Sequence, residues 1–322
     1  MELTAETVKA KALELGADVV GIASGAVLDQ FPPDPSLPQT PSSISDHDNK
    51  SVIVLARKFA WGLTRVPKAD QNKLYTAQLE LQGLEELAYD LVIFLEDHGY
   101  PAITVPAVHT MWEMRQGLYG PLSLRHAAVE AGLGTLGLNL QLLTPRYGPR
   151  VMLMGVLTCA PLEPDQPMHE ALCKGPECGR CLLTCPGDAA LHWNIDKEKC
   201  SPHAWPYGWQ YLTNHIKDLM TAGSFDEKWA LVKGKATFEL WQSMLQGVGV
   251  NSGCTRCLEV CPVGEDYELF LKEAQEEIPE ATPEKQARLQ AMRDAEEAGD
   301  LGPSFAASRR WIGAYPALRV IP

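Results

Sequence analysis

A membrane-spanning helix needs about 20 consecutive apolar residues, and no run in this 322-residue chain approaches that length. Positive charge is also in short supply. Against 41 Asp and Glu stand only 28 Lys and Arg, a net charge of −13, which argues against a general nucleic-acid binder, whose footprint is basic. The opening "MELTAETVKAKALELGADVV" has neither the basic start nor the apolar core of a secretory signal. The Arg309–Arg310 pair lies at the wrong end for a twin-arginine leader. These absences lead us to expect a cytoplasmic protein with no membrane partner. In that reducing compartment, nine cysteines favour metal or redox chemistry over disulfides.

What is present begins with an alternation of helical and strand patterns over the first 160 residues or so. "TAETVKAKALEL" has helical periodicity, with Thr4 as N-cap and Glu6 in the first turn. "ADVVGIA" and "SVIVLA" are short β-rich runs, separated by the loop "FPPDPSLPQTPSS". Residues 71–98 read as one long amphipathic helix closed by Gly99, followed by the strand-like "AITV". Such alternation favours a layered α/β domain. A cysteine-rich segment follows from about residue 170, its two cysteine groups bracketing a helical stretch rich in Trp and Tyr. An acidic helix near 282–298 and an arm ending "RRWIGAYPALRVIP" complete the chain.

The first cysteine group is "CKGPECGRCLLTCPGD", residues 173–188, and the second is "CTRCLEVCP", Cys254 to Pro262. Both contain C-x2-C-x3-C-P, a spacing similar to that of two-cluster bacterial ferredoxins. Zinc takes two separated C-x2-C pairs and has no use for a third cysteine before proline. Close spacing instead lets thiolates wrap one cubane, while the cysteine before proline reaches a second. That crossed rule assigns Cys173, Cys178, Cys181 and Cys261 to one [4Fe–4S] cluster. It assigns Cys185, Cys200, Cys254 and Cys257 to the other. Structural zinc and disulfides are the less favoured alternatives. Cys159, left over, reads as a buried thiol at a strand end.

About 160 residues precede the cysteine groups, far more than a bare ferredoxin needs, so a second cofactor or substrate site is expected. Within "PLSLRHAAVEAGLGTLGLNLQLLTPRYGPRVML" the helix "PLSLRHAAVEAGLG" should stop at Gly132 or Gly134. Gly132, Gly134 and Gly137 match G-x-G-x-x-G, but they end a helix instead of opening one, against a dinucleotide fold. They are better suited to close backbone approach to something flat or bulky.

"AGLGTLGLN", then "LLTPRYGPRVML", then the paired "CxxCxxxCP" motifs resemble the corrinoid-dependent iron–sulfur reductases, namely the epoxyqueuosine reductases and reductive dehalogenases. The resemblance spans roughly residues 10–265 and is strongest over 121–265. It implies an α+β chain in which a nitroreductase-like α/β corrinoid-binding domain, residues 1–165, precedes a ferredoxin-like two-[4Fe–4S] module, residues 166–270, with an aromatic-rich helical insert. Residues 271–322 would form a C-terminal helix and arm. It further implies base-off cobalamin between the two domains, electrons passing through the clusters to give Co(I), and reduced ferredoxin or flavodoxin as donor. The cofactor contacts so implied are His126, Gly134, Leu136, Gly137, Asn139, Thr144, Tyr147 and Gly148.

The chain also departs from these relatives. Leu118 stands where epoxyqueuosine reductases have a catalytic Asp, three residues before the proline matching Pro121. Leu138 stands where they carry a Lys, and no C-terminal helical repeats follow the sixty or so residues after Cys261. With the acidic balance, this argues against a tRNA substrate. By resemblance to the dehalogenases, Tyr119 is the candidate proton donor, with Arg125 or Arg115 stabilising its phenolate. His126 is a cofactor contact or a satisfied helix histidine. His109 and Trp112 are candidate pocket residues, and "HAWPYGWQYLTNH" is either an aromatic wall or ordinary core. The expected function is reduction of a small organic molecule, with a plain two-cluster electron carrier or a divergent epoxyqueuosine reductase as alternatives.

Overall fold

In the computed structural model, residues 3–66, 71–247 and 253–313 are described. The first part of the chain runs α1 (Ala5–Glu14), β1 (Val19–Ser24), α2 (Gly25–Gln30), β2 (Ser51–Lys58), α3 (Trp61–Arg65), α4 (Gln71–Asp97) and β3 (Ala102–Val105). It continues through α5 (Leu124–Glu130), β4 (Thr135–Leu136), β5 (Leu142–Leu143) and β6 (Val151–Thr158). Four strands form one sheet in the order β1-β2-β6-β3, antiparallel at every junction. The sheet is antiparallel because its strands are joined by long excursions that return them in alternating directions, so the chain is α+β in the strict sense.

Strand β2 is the centre of this layer. Period-two alternation sends Ile53 and Leu55 to the face covered by α1 and α4, and Val52, Val54 and Ala56 to the face covered by α5. Both faces are buried, which explains the unbroken apolar run in the sequence. Thr4 caps α1 as expected. Its hydroxyl accepts from the Thr7 amide at 3.2 Å, and the Thr4 amide donates to the Thr7 hydroxyl at 2.9 Å. The long helix ends one residue earlier than read, at Asp97, with Gly99 at φ +85°. Among the described residues no helix is long and apolar enough to cross a membrane.

The rest of the chain contains α6 (Arg180–Thr184), β7 (Ala190–Leu191), β8 (Asn194–Ile195) and α7 (Lys197–Ala204). Next comes a three-helix insert of α8 (Trp209–Thr221), α9 (Phe225–Val232) and α10 (Lys235–Gln246). Then follow α11 (Arg256–Glu259), α12 (Lys272–Gln275), α13 (Pro283–Glu297) and α14 (Gly302–Ile312). Helix α14 packs back on α5, where buried Glu130 accepts from Arg310 at 2.7 Å and from the Trp311 indole at 3.0 Å. Residues 314–322 of the terminal arm lie outside the described residues.

Two buried ion pairs join the cysteine-rich part to the sheet layer. Arg150, just before β6, makes a forked pair with Asp266, Nε to Oδ2 at 2.8 Å and Nη2 to Oδ1 at 2.6 Å. Its remaining N–H groups donate to the carbonyls of Leu258, Cys261 and Val263. Lys73 of α4 meets Glu259 at 2.7 Å, with both side chains almost fully enclosed. Glu259 also accepts from Thr255 and Arg256.

Removing one partner of such a pair strands the other charge, at a cost of about 3–5 kcal/mol. Arg150→Met is therefore expected to lower unfolding free energy by that amount in urea titration. Arg150→Lys should recover only part of the loss, because an ammonium cannot span the carboxylate fork.

Candidate active site

The thiols assemble from α6, the turn before it, α7, α11 and the loop that follows α11. Cys173, Cys178, Cys181 and Cys261 are mutual neighbours, each felt electrostatically by others of the set. Cys185, Cys200, Cys254 and Cys257 form the second group in the same sense. Cys181 and Cys257 are where the two groups adjoin. The division follows the crossed spacing rule, and it includes Cys200, which no local motif marks.

All nine cysteines are free thiols. Among the described residues no three His, Cys, Asp or Glu side chains converge on a point suited to a single metal ion. The first group instead lines a cavity of about 400 Å³, shared with Gly137, Leu138, Asn139, Pro149 and Cys257. Main-chain amides point at the sulfurs: Leu138 and Gly175 donate to Cys173 Sγ at 3.4 and 3.3 Å. Ala189 donates to Cys185 Sγ at 3.2 Å. Burial raises the thiols of Cys173, Cys181, Cys254 and Cys257, and it raises Cys200 to about 11 and Cys261 to about 12. Four thiols around a cavity, with amide donors to sulfur, are the donor set that a cubane cluster takes.

A second cavity, of about 340 Å³, lies between the sheet layer and α7. Pro106 to Thr110, the start of α5 with Arg125, the start of β6, Lys197 and Cys200 line it. Pro149 belongs to the walls of both this cavity and the thiol-lined one. The cavity shares Thr110, Leu118, Ser201 and Trp205 with an outer one of about 830 Å³ that Trp112 and Trp209 flank. Together they give a deep, partly aromatic cleft of a size suited to a flat, bulky group.

Tyr119 stands beside this cleft, between the lining residues Leu118 and Gly120. Lys197 Nζ lies 3.6 Å from the centre of its ring, with the Arg115 guanidinium farther off at 5.4 Å. Lys197 also donates to the Leu118 carbonyl at 3.0 Å. Burial, helped by the charge of Arg125, pulls the Lys197 ammonium down to about 7. Arg125 donates to the Leu140 carbonyl at 2.8 Å, and its own pKa is lowered by burial. The cation nearest Tyr119 is thus Lys197, which the sequence reading did not name.

The eight residues taken as cofactor contacts do not line this cleft. His126 bonds Ser123 at 2.6 Å and packs edge-on against Trp311. Burial and the nearby Arg125 hold it down to about 3, so it is a neutral, satisfied helix histidine. Gly137 and Asn139 line the thiol cavity. Gly134 and Leu136 are enclosed beside β5, and a β-carbon on Gly134 would collide with the Leu143 carbonyl. Thr144 and Gly148 close a tight turn through a 3.1 Å bond from the Thr144 hydroxyl. Gly148, at φ +51°, leaves room for the Val263 carbonyl, while Tyr147 turns toward Asp18. The close approach that these glycines permit is to the chain itself.

His109 lines the inner cavity and Trp112 the outer, as expected. The aromatic stretch is divided. Trp205 and Trp209 line the cleft, whereas Tyr207 and Tyr211 donate to Glu239 and His215 pairs with Thr237. Cys159 follows β6 but is only half-buried, since its chain end lies near the sheet margin by Pro101.

No family model matches the chain. An epoxyqueuosine reductase of Listeria monocytogenes is 30% identical over 203 residues, 62% of this chain and 44% of that protein. A tetrachloroethene reductive dehalogenase of Desulfitobacterium hafniense is 28% identical over 197 residues, 52% of this chain and 32% of that protein. The chain is related to both. It spans less than half the length of these relatives. In fold it is similar to the catabolic reductive dehalogenase NpRdhA, with a TM-score of 0.50 at 18% identity over 95% of this chain and 38% of that one. Several of these relatives are epoxyqueuosine reductases, and they do not support the expectation that tRNA is no partner.

The Lys197 ammonium should titrate near pH 7 in a carbon-13 NMR experiment on the folded protein, well below an ordinary lysine. Arg125→Met removes a neighbouring positive charge and is expected to raise that midpoint.

Proposed function

We propose that the chain is a cytoplasmic iron–sulfur and corrinoid-dependent reductase acting on a small organic molecule. The observation that carries this reading is the cleft itself: Lys197 and Cys200 of the second thiol group in its wall, with the ring of Tyr119 against Lys197 at its margin. In this reading the two cysteine sets would hold two [4Fe–4S] clusters, and the inner and outer cavities together would hold cobalamin, which would supply a strongly reducing cobalt centre when bound. The two domains are then the nitroreductase-like and ferredoxin-like modules that the sequence suggests.

The protein's own part is placement and protons. Cys181 and Cys257, where the groups adjoin, bring the two clusters together, and Cys200 carries the second to the cavity wall. Pro149 and the apolar start of β6 give the cavity an apolar wall. Trp112, Trp205 and Trp209 offer stacking surfaces to a planar substrate. In this reading Tyr119, beside the cleft, gives up a proton, and Lys197, when charged, stabilises the phenolate left behind. Lys197 is charged below about pH 7 and neutral above it, so this assistance fades as pH rises through 7.

The relatives at about 30% identity favour a second reading, an epoxyqueuosine reductase with Tyr119 in place of the usual acid. Rescue of queuosine formation in a strain lacking that enzyme would establish it, and failure there would remove it.

Protein made anaerobically with cobalamin supplied is expected to hold about eight irons and a base-off Co(II) signal by EPR. Eight irons without retained cobalt would turn the reading toward a plain electron carrier. Tyr119→Phe should cut turnover by about a hundredfold or more with metal content unchanged. The wild-type rate should fall above pH 7, and Lys197→Met should flatten that fall.

A further inference from the structure

The three-helix insert carries a surface that the rest of the fold leaves bare. Among the described residues nineteen large hydrophobic side chains are exposed, and nine of them fall within residues 216–245. Met220, Phe225 and Met244 are 77%, 75% and 71% exposed. Phe225 stacks on Trp229 and Phe238 on Trp241, each within its own helix, so these rings are ordered at the surface. Helices α8, α9 and α10 pack on one another, while buried Leu240, Glu239 and His215 occupy their inner side. A soluble monomer rarely leaves so much apolar surface together.

We propose that this surface is a homodimer interface, formed when the insert meets the insert of a second copy of the chain. The charge pattern selects that occupant. Residues 216–245 contain four lysines (217, 228, 233 and 235) and four acids (Asp218, Asp226, Glu227 and the buried Glu239), so the charges at the surface balance to within one. The whole net charge of −13 therefore resides elsewhere on the chain. An anionic lipid surface would meet a repelling body and a cationic surplus of only one on the helices. A charged redox partner would find nothing on this face to steer it. Two copies of a balanced, apolar face can pair about a twofold axis, matching lysine to acid, with the acidic bodies held apart.

A stable interface needs about 800 Å² from each partner. A fully buried aromatic side chain supplies about 150–250 Å², and Phe225, Trp229, Phe238 and Trp241 have about half or more of their surface still to bury. With the exposed parts of Ile216, Met220, Val232, Met244 and Leu245, they reach the area of a standard interface.

Sedimentation velocity and light scattering on the full chain test the proposal, read against the 35.3 kDa monomer. Wild-type protein should show about twice that mass. The triple variant Phe225→Glu, Trp241→Glu, Met244→Glu should run as a monomer with unchanged circular dichroism and iron content. Should that variant fail to fold, the single change Met220→Lys at the most exposed position should weaken dimerisation at least tenfold. A wild-type monomer at every concentration overturns the proposal, as does a dimer that survives either variant. A wild-type monomer that floats with phosphatidylglycerol vesicles would assign the face to lipid instead.

Discussion

The buried fork between Arg150 and Asp266 is the constraint on which the rest of this molecule rests. Arg150 is 1% exposed, and a guanidinium taken out of water is tolerated only if nearly every N–H finds an acceptor. Its acceptors are Asp266 and the carbonyls of Leu258, Cys261 and Val263. Meanwhile its own carbonyl accepts from Phe59 at the end of β2. One side chain thus fixes the start of a sheet strand, the end of α11 and the peptide of a candidate cluster ligand. The Lys73–Glu259 pair repeats the arrangement one turn away, reaching the same short helix from α4. Between them the two pairs leave α11, with Cys257 on it, little freedom to shift against the sheet layer.

That fixity gives the cleft its shape. Pro149, next to the buried arginine, is a shared wall of the thiol cavity and the inner cavity. Lys197 and Cys200 sit one helical turn apart on α7, so the cation over Tyr119 and a ligand of the second thiol group are placed by one short helix. The cation beside the proposed proton donor and a ligand of the proposed electron source would then share a single element, an arrangement suited to reduction.

Much of this was legible in the sequence where the signal is local. Thr4 caps its helix because a hydroxyl beside the first turn has amides to satisfy. "SVIVLA" is a strand buried on both faces, because no polar residue interrupts it. The cysteine sets could be paired across the chain because a cysteine held by a following proline points away from its neighbours. What was not legible depends on the path of the chain through space. Lys197 lies in an unremarkable "NIDKEKC" and reaches Tyr119, 78 residues away. The glycines of "AGLGTLGLN" permit close approach to anything, and only the fold shows that Leu143 and Val263 are what approaches. Arg150 stands in a visible motif, yet its acceptors lie more than 100 residues further on.

The crossed arrangement of the thiols has a consequence for the history of the insert. Cys185 and Cys200 precede residues 209–246 in the chain and Cys254 follows them, yet all three belong to one group. With that group tied, the insert becomes a loop whose ends are already clasped. Further lengthening such a loop costs little in closure entropy, because the penalty grows only with the logarithm of its length. Mutation is then free to enlarge, trim or recast these helices while leaving the thiol groups untouched. The same frame could acquire new neighbours by changing only what hangs from the clasp.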